Sequence, residues 1–251
     1  GGARQRRVRG AHAGQVGGTA GTGDDRRQAS GCRRAPVLGH LLGKDAGKEV
    51  SAILGLPPDA SEDRLKALGA AAASSGSVAM FHAIGVTPEA PTLDAATAGE
   101  PVAEIVVSAE RLRQARGELV TAVNGRLGAV SVGTPHASLA ELERLAALLG
   151  TDELAVPLYV NVGRDVLAES DRRGLSASLG SAGVRIVTDT CTYITPVMED
   201  VDGPVMTDSG KWAWYAPTNI GVDVVIGGLE ECVRSAVAGR VLLDETLWAD
   251  G

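Results

Sequence analysis

Ala129-Val-Ser-Val-Gly-Thr-Pro-His-Ala-Ser-Leu-Ala-Glu-Leu-Glu-Arg-Leu-Ala-Ala-Leu-Leu-Gly150 reads as a complete strand–turn–helix unit. Residues 129–132 are a short apolar run, the length of a strand buried on both faces. Gly133-Thr134-Pro135-His136 interrupts it, Ser138 and Glu141 stand at capping-box spacing, and Gly150 stops the helix. Leu158–Val162 is a second apolar run, followed by a helical stretch over about 164–180. Outward from here the alternation repeats. Ser61-Glu62-Asp63 opens an Ala-rich helix to about Ser74, Ser77–Ala83 reads as a strand, and Glu104–Val107 is a strand ending at the helix cap Ser108. Downstream, Val184–Val187 runs into Thr188-Asp189-Thr190-Cys191, and Val222–Ile226 passes through Gly227-Gly228 into a helix to about Val237. Short apolar strands alternating with longer helices predict an α/β fold with a mostly parallel sheet flanked by helices.

The 251 residues are 44% hydrophobic and 22% charged with a net charge of −7, which excludes wholesale disorder. No apolar run has the roughly 18–20 residues of a membrane span, so no membrane partner is expected. Three cysteines are too few for a disulfide scaffold and point to a reducing, cytoplasmic setting. The averages conceal a break near residue 35. Residues 1–34 hold eight Arg against two Asp, a net +6 that leaves −13 for the rest, and contain no Leu, Ile, Met, Phe, Trp, Tyr or Lys. Such a stretch reads as a disordered tail, as an out-of-frame segment, or as a basic arm for nucleic acid. The acidic body speaks against nucleic acid as a partner. Residues 35–251 are expected to fold.

In parallel sheets ligands bind beyond the carboxyl ends of the strands. The residues delivered there are Thr134 and His136; Asn161; Asp189, Thr190, Cys191 and Thr192; and Gly227-Gly228. Cys191 sits among polar neighbours, unlike a core thiol, and reads as a ligand or nucleophile. Cys232 repeats helically with Leu229, Val233 and Ala236 and reads as core; Cys32 lies in the Arg-rich opening. With no Cys-x-x-Cys pair, a self-contained zinc site is disfavoured. His136 fits either a ligating or a merely solvated loop histidine, His82 a core histidine within a strand, and His40 is uninformative. Residues 207–219 cluster two Trp and a Tyr. There Ser209, Lys211, Tyr215 and Asn219 fit a pocket for an anionic substrate, with Lys211 as counter-charge, or else a packed aromatic loop. Neither a P-loop nor a Rossmann glycine pattern is present.

Six runs taken together resemble the aconitase X family: Leu68–Gly76, His82–Pro91, Gly133–Ser138, Asp189–Pro196, Thr207–Tyr215 and Gly228–Gly239. Their order and spacing also fit, from about Ala35 to Val241. The similarity is to the C-terminal portion of the catalytic, or large-subunit, region, so the upstream half is expected to be absent and the catalytic domain incomplete. The resemblance implies an aconitase-like fold and a hydro-lyase working with an iron–sulfur cluster, 2Fe-2S or 4Fe-4S, and a small swivelling domain or subunit. The family includes cis-3-hydroxy-L-proline dehydratases and mevalonate 5-phosphate dehydratases. Such an iron, acting as a Lewis acid, binds the substrate's hydroxyl and carboxylate while a protein base takes the adjacent proton. By the same resemblance Cys191 is the cluster ligand, and His136 and Asp189 orient substrate or cluster; Thr190, Tyr215 and Asn219 join Asp189 as expected substrate-binding residues. Ser209 and Lys211 contact a hydroxy-acid substrate, Ser209 as the base by analogy with other aconitases.

Two departures limit this. Thr134 stands where many members have Cys, and another expected Cys belongs to the upstream half. Gly-Thr-Pro-His together with Lys-Trp-Ala-Trp-Tyr looks more like the hydroxyproline-type branch. The expected activity is therefore dehydration of cis-3-hydroxy-L-proline, with this chain alone poorly active. The alternatives are a mevalonate 5-phosphate dehydratase large subunit, or a non-catalytic remnant that binds a small-subunit partner.

Overall fold

A computed structural model describes residues 6–10, 23–98, 103–123, 125–199 and 201–244, with side chains from Arg34 onward. The chain divides into two compact units, one up to Arg116 and one from Gly117 to Asp244.

The first unit holds a four-stranded sheet in the order β3-β2-β1-β4, built from β1 (Arg6–Gly10), β2 (Ser51–Leu54), β3 (Phe81–Ala83) and β4 (Ala103–Val107). All its pairings are parallel. Helix α1 (Gly23–Ala46) precedes β2, α2 (Glu62–Gly76) follows it, and α3 (Leu93–Thr97) and α4 (Ala109–Glu118) complete the order. Ser61 caps α2 by accepting the Arg64 N–H, and Ser108 does the same for Arg111 at α4. The expected strand over 77–83 is shorter, because Ser77 takes a left-handed conformation that ends α2. His82 lies in the edge strand β3, its side chain 13% exposed and its Nδ1 3.5 Å from a Glu89 carboxylate oxygen.

Part of the opening stretch falls within the described backbone. The backbone of Arg6–Gly10 pairs with both β2 and β4, and α1 begins at Gly23, so a boundary at Ala35 falls inside a helix. Composition measures what side chains can bury, whereas a ladder is made by main-chain groups that every non-proline residue carries. Residues 1–5 and 11–22, and the Cys32 side chain, lie outside the described residues.

The second unit carries a five-stranded, wholly parallel sheet in the order β7-β6-β5-β8-β9. Its strands are β5 (Ala129–Ala137), β6 (Leu158–Val162), β7 (Val184–Thr188), β8 (Val205–Thr207) and β9 (Val224–Ile226). Its helices are α5 (Leu139–Leu149), α6 (Arg164–Arg172), α7 (Leu175–Ser181), α8 (Gly210–Ile220) and α9 (Leu229–Ala238). The capping box read from Ser138 and Glu141 is formed in full. Leu142, Leu145 and Leu149 then bury one stripe of α5 against Val130, Leu158, Val160 and Met206. The single helix expected over 164–180 is broken at Gly174, whose φ of +69° places it in the left-handed region. Each unit has its own sheet, the strands of one pairing only among themselves. Among the described residues no helix is long and apolar enough to cross a membrane.

Candidate functional site at the switch point of the second sheet

From β5 the chain steps outward to β6 and β7, then returns to the other side of β5 for β8 and β9. The order of winding therefore reverses between β5 and β8, and ligands of open α/β sheets bind in that crevice, beyond the carboxyl ends of the strands. The residues after β5, β7 and β8 are the sequence candidates.

After Val132, which pairs with Val160, the next β5 residue in register is Ala137, which pairs with Val162. Gly133–His136 thus bulge out opposite Asn161 alone. Gly133 has φ +75°, and a Cβ there would lie 2.5 Å from the Asn161 carbonyl oxygen, so glycine is required. The buried Asn161 amide donates to the Val132 carbonyl at 2.9 Å and to Thr134 Oγ1 at 3.1 Å. The Thr134–Pro135 peptide is cis. His136 Nε2 lies 3.3 Å from the Thr190 carbonyl oxygen. A carbonyl only accepts, so Nε2 is the donor in this contact.

Ser209 caps α8, taking the Trp212 N–H at 3.0 Å and donating its own hydrogen to the Thr134 carbonyl. The stretch 207–219 is thus the end of a strand and a capped helix rather than an aromatic loop. Lys211 stands half-buried in the first turn, and no described side chain neutralises it. Tyr215, one turn on, stacks on Tyr193 with ring centroids 5.5 Å apart. Asn219 is exposed near the far end of α8, about 12 Å along the helix axis from Lys211 at 1.5 Å per residue. The structure does not bring it to the others, because a helix displaces what a loop would gather.

Asp189 is also committed elsewhere. At φ +58° it accepts the Arg164 backbone N–H at 3.0 Å and the Arg164 Nε at 2.6 Å. It thereby supplies the cap that Gly163 cannot give α6, and the Arg164 hydrogen bonds hold its carboxyl below the usual carboxylate range. Thr190 bonds Thr195 through their hydroxyls. Cys191 is half-buried, and its carbonyl accepts the Ile194 and Thr195 N–H groups, closing the turn. Burial first, then the neighbouring Cys191 and Tyr215 side chains, push the Tyr193 hydroxyl up to about 12.

Thiolates are the groups that hold iron–sulfur clusters. Of the two cysteines with described side chains, Cys191 is at this rim and Cys232 is fully buried on α9 among core side chains, as expected. No group of three or more His, Cys, Asp or Glu converges among the described residues. These residues therefore fit one cluster ligand and not a complete cluster site. A cleft lined by Asp152, Glu153, Ser178, Ser181 and Arg185 opens at the opposite edge, where β6 and β7 begin, and contains none of the candidates.

Arg164, Ser131 and Trp212 are functional-site neighbours that sequence reading passed over. Ser131 alone carried a signal, a hydroxyl inside the apolar run 129–132.

Family models agree with this division of the chain. One described as the aconitase X second domain matches residues 26–117, and another described as the aconitase X third domain matches residues 127–238. The chain belongs to the aconitase X family. It is 42% identical over 213 residues to cis-3-hydroxy-L-proline dehydratase of Pseudomonas aeruginosa, covering 82% of this chain and 36% of that relative. To the phosphomevalonate dehydratase large subunit of Methanothermobacter thermautotrophicus it is 39% identical over 201 residues, 79% of this chain and 48% of the relative. The crystal structure of Thermococcus kodakaraensis aconitase X in its holo-form superposes with a TM-score of 0.75 at 27% identity, over 93% of this chain and 55% of that one. The chain thus spans between about a third and a half of the curated aconitase X relatives it matches.

Proposed function

We propose that the chain supplies the second and third domains of an aconitase X hydro-lyase that removes water from cis-3-hydroxy-L-proline. The observation that carries this reading is the gathering of His136, Thr190, Cys191, Ser209 and Lys211 at the switch point of the second sheet, in a chain 42% identical to a dehydratase of that compound. Lys211 is the counter-charge for the substrate carboxylate, in a helix first turn where the dipole also favours an anion. His136 and Tyr215 line the substrate's surroundings. Ser209 serves as proton acceptor once its hydroxyl leaves the Thr134 carbonyl. Asp189 and Thr190 act by shaping the turn, and Asn219, at the far end of α8, takes no part in the site. Cys191 is this chain's thiolate toward an iron–sulfur cluster, whose remaining ligands come from outside the described residues. A small swivelling domain or subunit is the partner, and the reducing cytoplasm the setting, as three cysteines in 251 residues favour.

The test supplies the family's first domain and small domain in trans, after anaerobic loading with iron and sulfide. Consumption of cis-3-hydroxy-L-proline, dependent on those additions and lost in Lys211→Met, is the expected result. Turnover of mevalonate 5-phosphate instead, or full turnover by the 251-residue chain alone, overturns it.

A further inference from the structure

We infer that Thr192 is the positioning residue of the Cys191 turn, locking it to the sheet and to α8 at once. The inference rests on reading Cys191 as the functional thiol, and its geometry stands apart from that reading. Thr192 Oγ1 accepts the Trp212 indole N–H at 2.7 Å and shares a 2.7 Å hydrogen bond with Ser131 Oγ. Ser131 and Trp212 are fully buried and Thr192 is 1% exposed. Three segments meet on one hydroxyl: Ser131 from β5, Thr192 from the turn after β7, and Trp212 from the first turn of α8.

The other ties of this turn do less. The bonds from Ile194 and Thr195 to the Cys191 carbonyl close the turn on itself and fix nothing to the sheet. The Arg164–Asp189 pair holds the outer side, where the Arg164 side chain is 79% exposed and solvent screens the attraction. The His136–Thr190 contact, at 3.3 Å, is long. The Thr190–Thr195 hydroxyl bond is half-buried and internal to the turn; among the described residues of the turn, Thr192 makes the short side-chain hydrogen bonds that are fully buried, where each is strongest and leaving one unmade is most costly. An indole N–H can only donate, so the acceptor on the turn is obligatory. Cys191, one residue earlier, inherits its position, and so does its placement relative to the α8 end that carries Lys211.

Iodoacetamide alkylation of the full chain, read cysteine by cysteine by mass spectrometry at one pH, tests this. Fully buried Cys232 gauges global unfolding. Thr192→Val keeps the shape and removes both hydrogen bonds. It is expected to raise the Cys191 alkylation rate several-fold and move the Trp212 indole N–H resonance, with Cys232 still protected. Thr192→Ser restores the parent rate, and Ser131→Ala, which removes one arm, falls between. An unchanged Cys191 rate in Thr192→Val overturns the inference, and so does a Thr192→Ser variant that behaves like Thr192→Val. If Thr192→Val also exposes Cys232, the milder Ser131→Ala decides: Cys191 as slow there as in the parent overturns the inference, and a faster Cys191 with protected Cys232 sustains it. Failure of the turnover assay alongside the expected alkylation pattern overturns the functional reading alone.

Discussion

In the first unit α1 and α2 meet through glycines: a Cβ added at Gly39 would overlap the Leu68 carbonyl, one at Gly43 the Ser75 hydroxyl, and one at Gly76 the Gly43 carbonyl. In the second unit the helix at the site, α8, is held by a buried Trp and by side-chain hydroxyls, while its neighbours pack aliphatic stripes on the sheet. Both units cover an all-parallel sheet, and among the described residues of the second a thiol and titratable groups stand at strand ends beside a reversal of winding. Backbone-to-backbone packing leaves little surface on which to mount chemistry. Packing through Ser, Thr and Trp places polar atoms in a dry interior, where they orient their neighbours.

The contrast makes predictions of decreasing size. Trp212→Ala removes the largest fully buried side chain among the described residues. It is expected to cost about 3–5 kcal/mol in urea unfolding, as buried aromatic truncations do; a cost under about 1 kcal/mol would mean α8 is held by something else. Alanine at two helical glycines should then act with opposite signs in the two units. Gly43→Ala, with no room for a methyl, is expected to destabilise by about 1–3 kcal/mol. Gly180→Ala in α7, where nothing lies within 4 Å of the new methyl, is expected to stabilise by about 0.4–1 kcal/mol. Thermal unfolding of the two variants checks the pair, and equal signs would erase the distinction.

The smallest effect is electrostatic. Hydrogen bonds from Arg173 and then Arg172 hold the exposed Glu169 below its ordinary range. Its contribution is therefore present above the unfolded carboxylate pKa and is lost as pH falls through the lower folded value. Glu169→Gln should lose less stability than the parent between about pH 5 and pH 3. Melting temperatures across that interval measure it, and parallel curves would show that the pairs contribute nothing.

Much of the second unit is legible in residues 129–150. The apolar run, the breaker Gly133, the Ser138–Glu141 box and the stop at Gly150 are local signals, and each appears where it is read. Helix α8 is harder to read, because Trp212, Trp214, Tyr215 and Pro217 mask it as a loop, and only the cap Ser209 announces it. Asp189 and Asn219 read as site residues for the same reason: sequence shows that a polar group follows a strand or lies in a cluster, and not which way it is spent. Asp189 goes to Arg164, and Asn219 rides to the far end of its helix.

Sequence alone determined the α/β class, the strand-end candidates and, through six runs in register, the family resemblance, because capping, periodicity and motif order are properties of neighbours along the chain. Only the tertiary structure decided the division into two sheets, the switch point between β5 and β8, and the meeting of Ser131, Thr192 and Trp212. These depend on which strands exchange main-chain hydrogen bonds and on contacts up to 61 residues apart in sequence, and no local pattern encodes them.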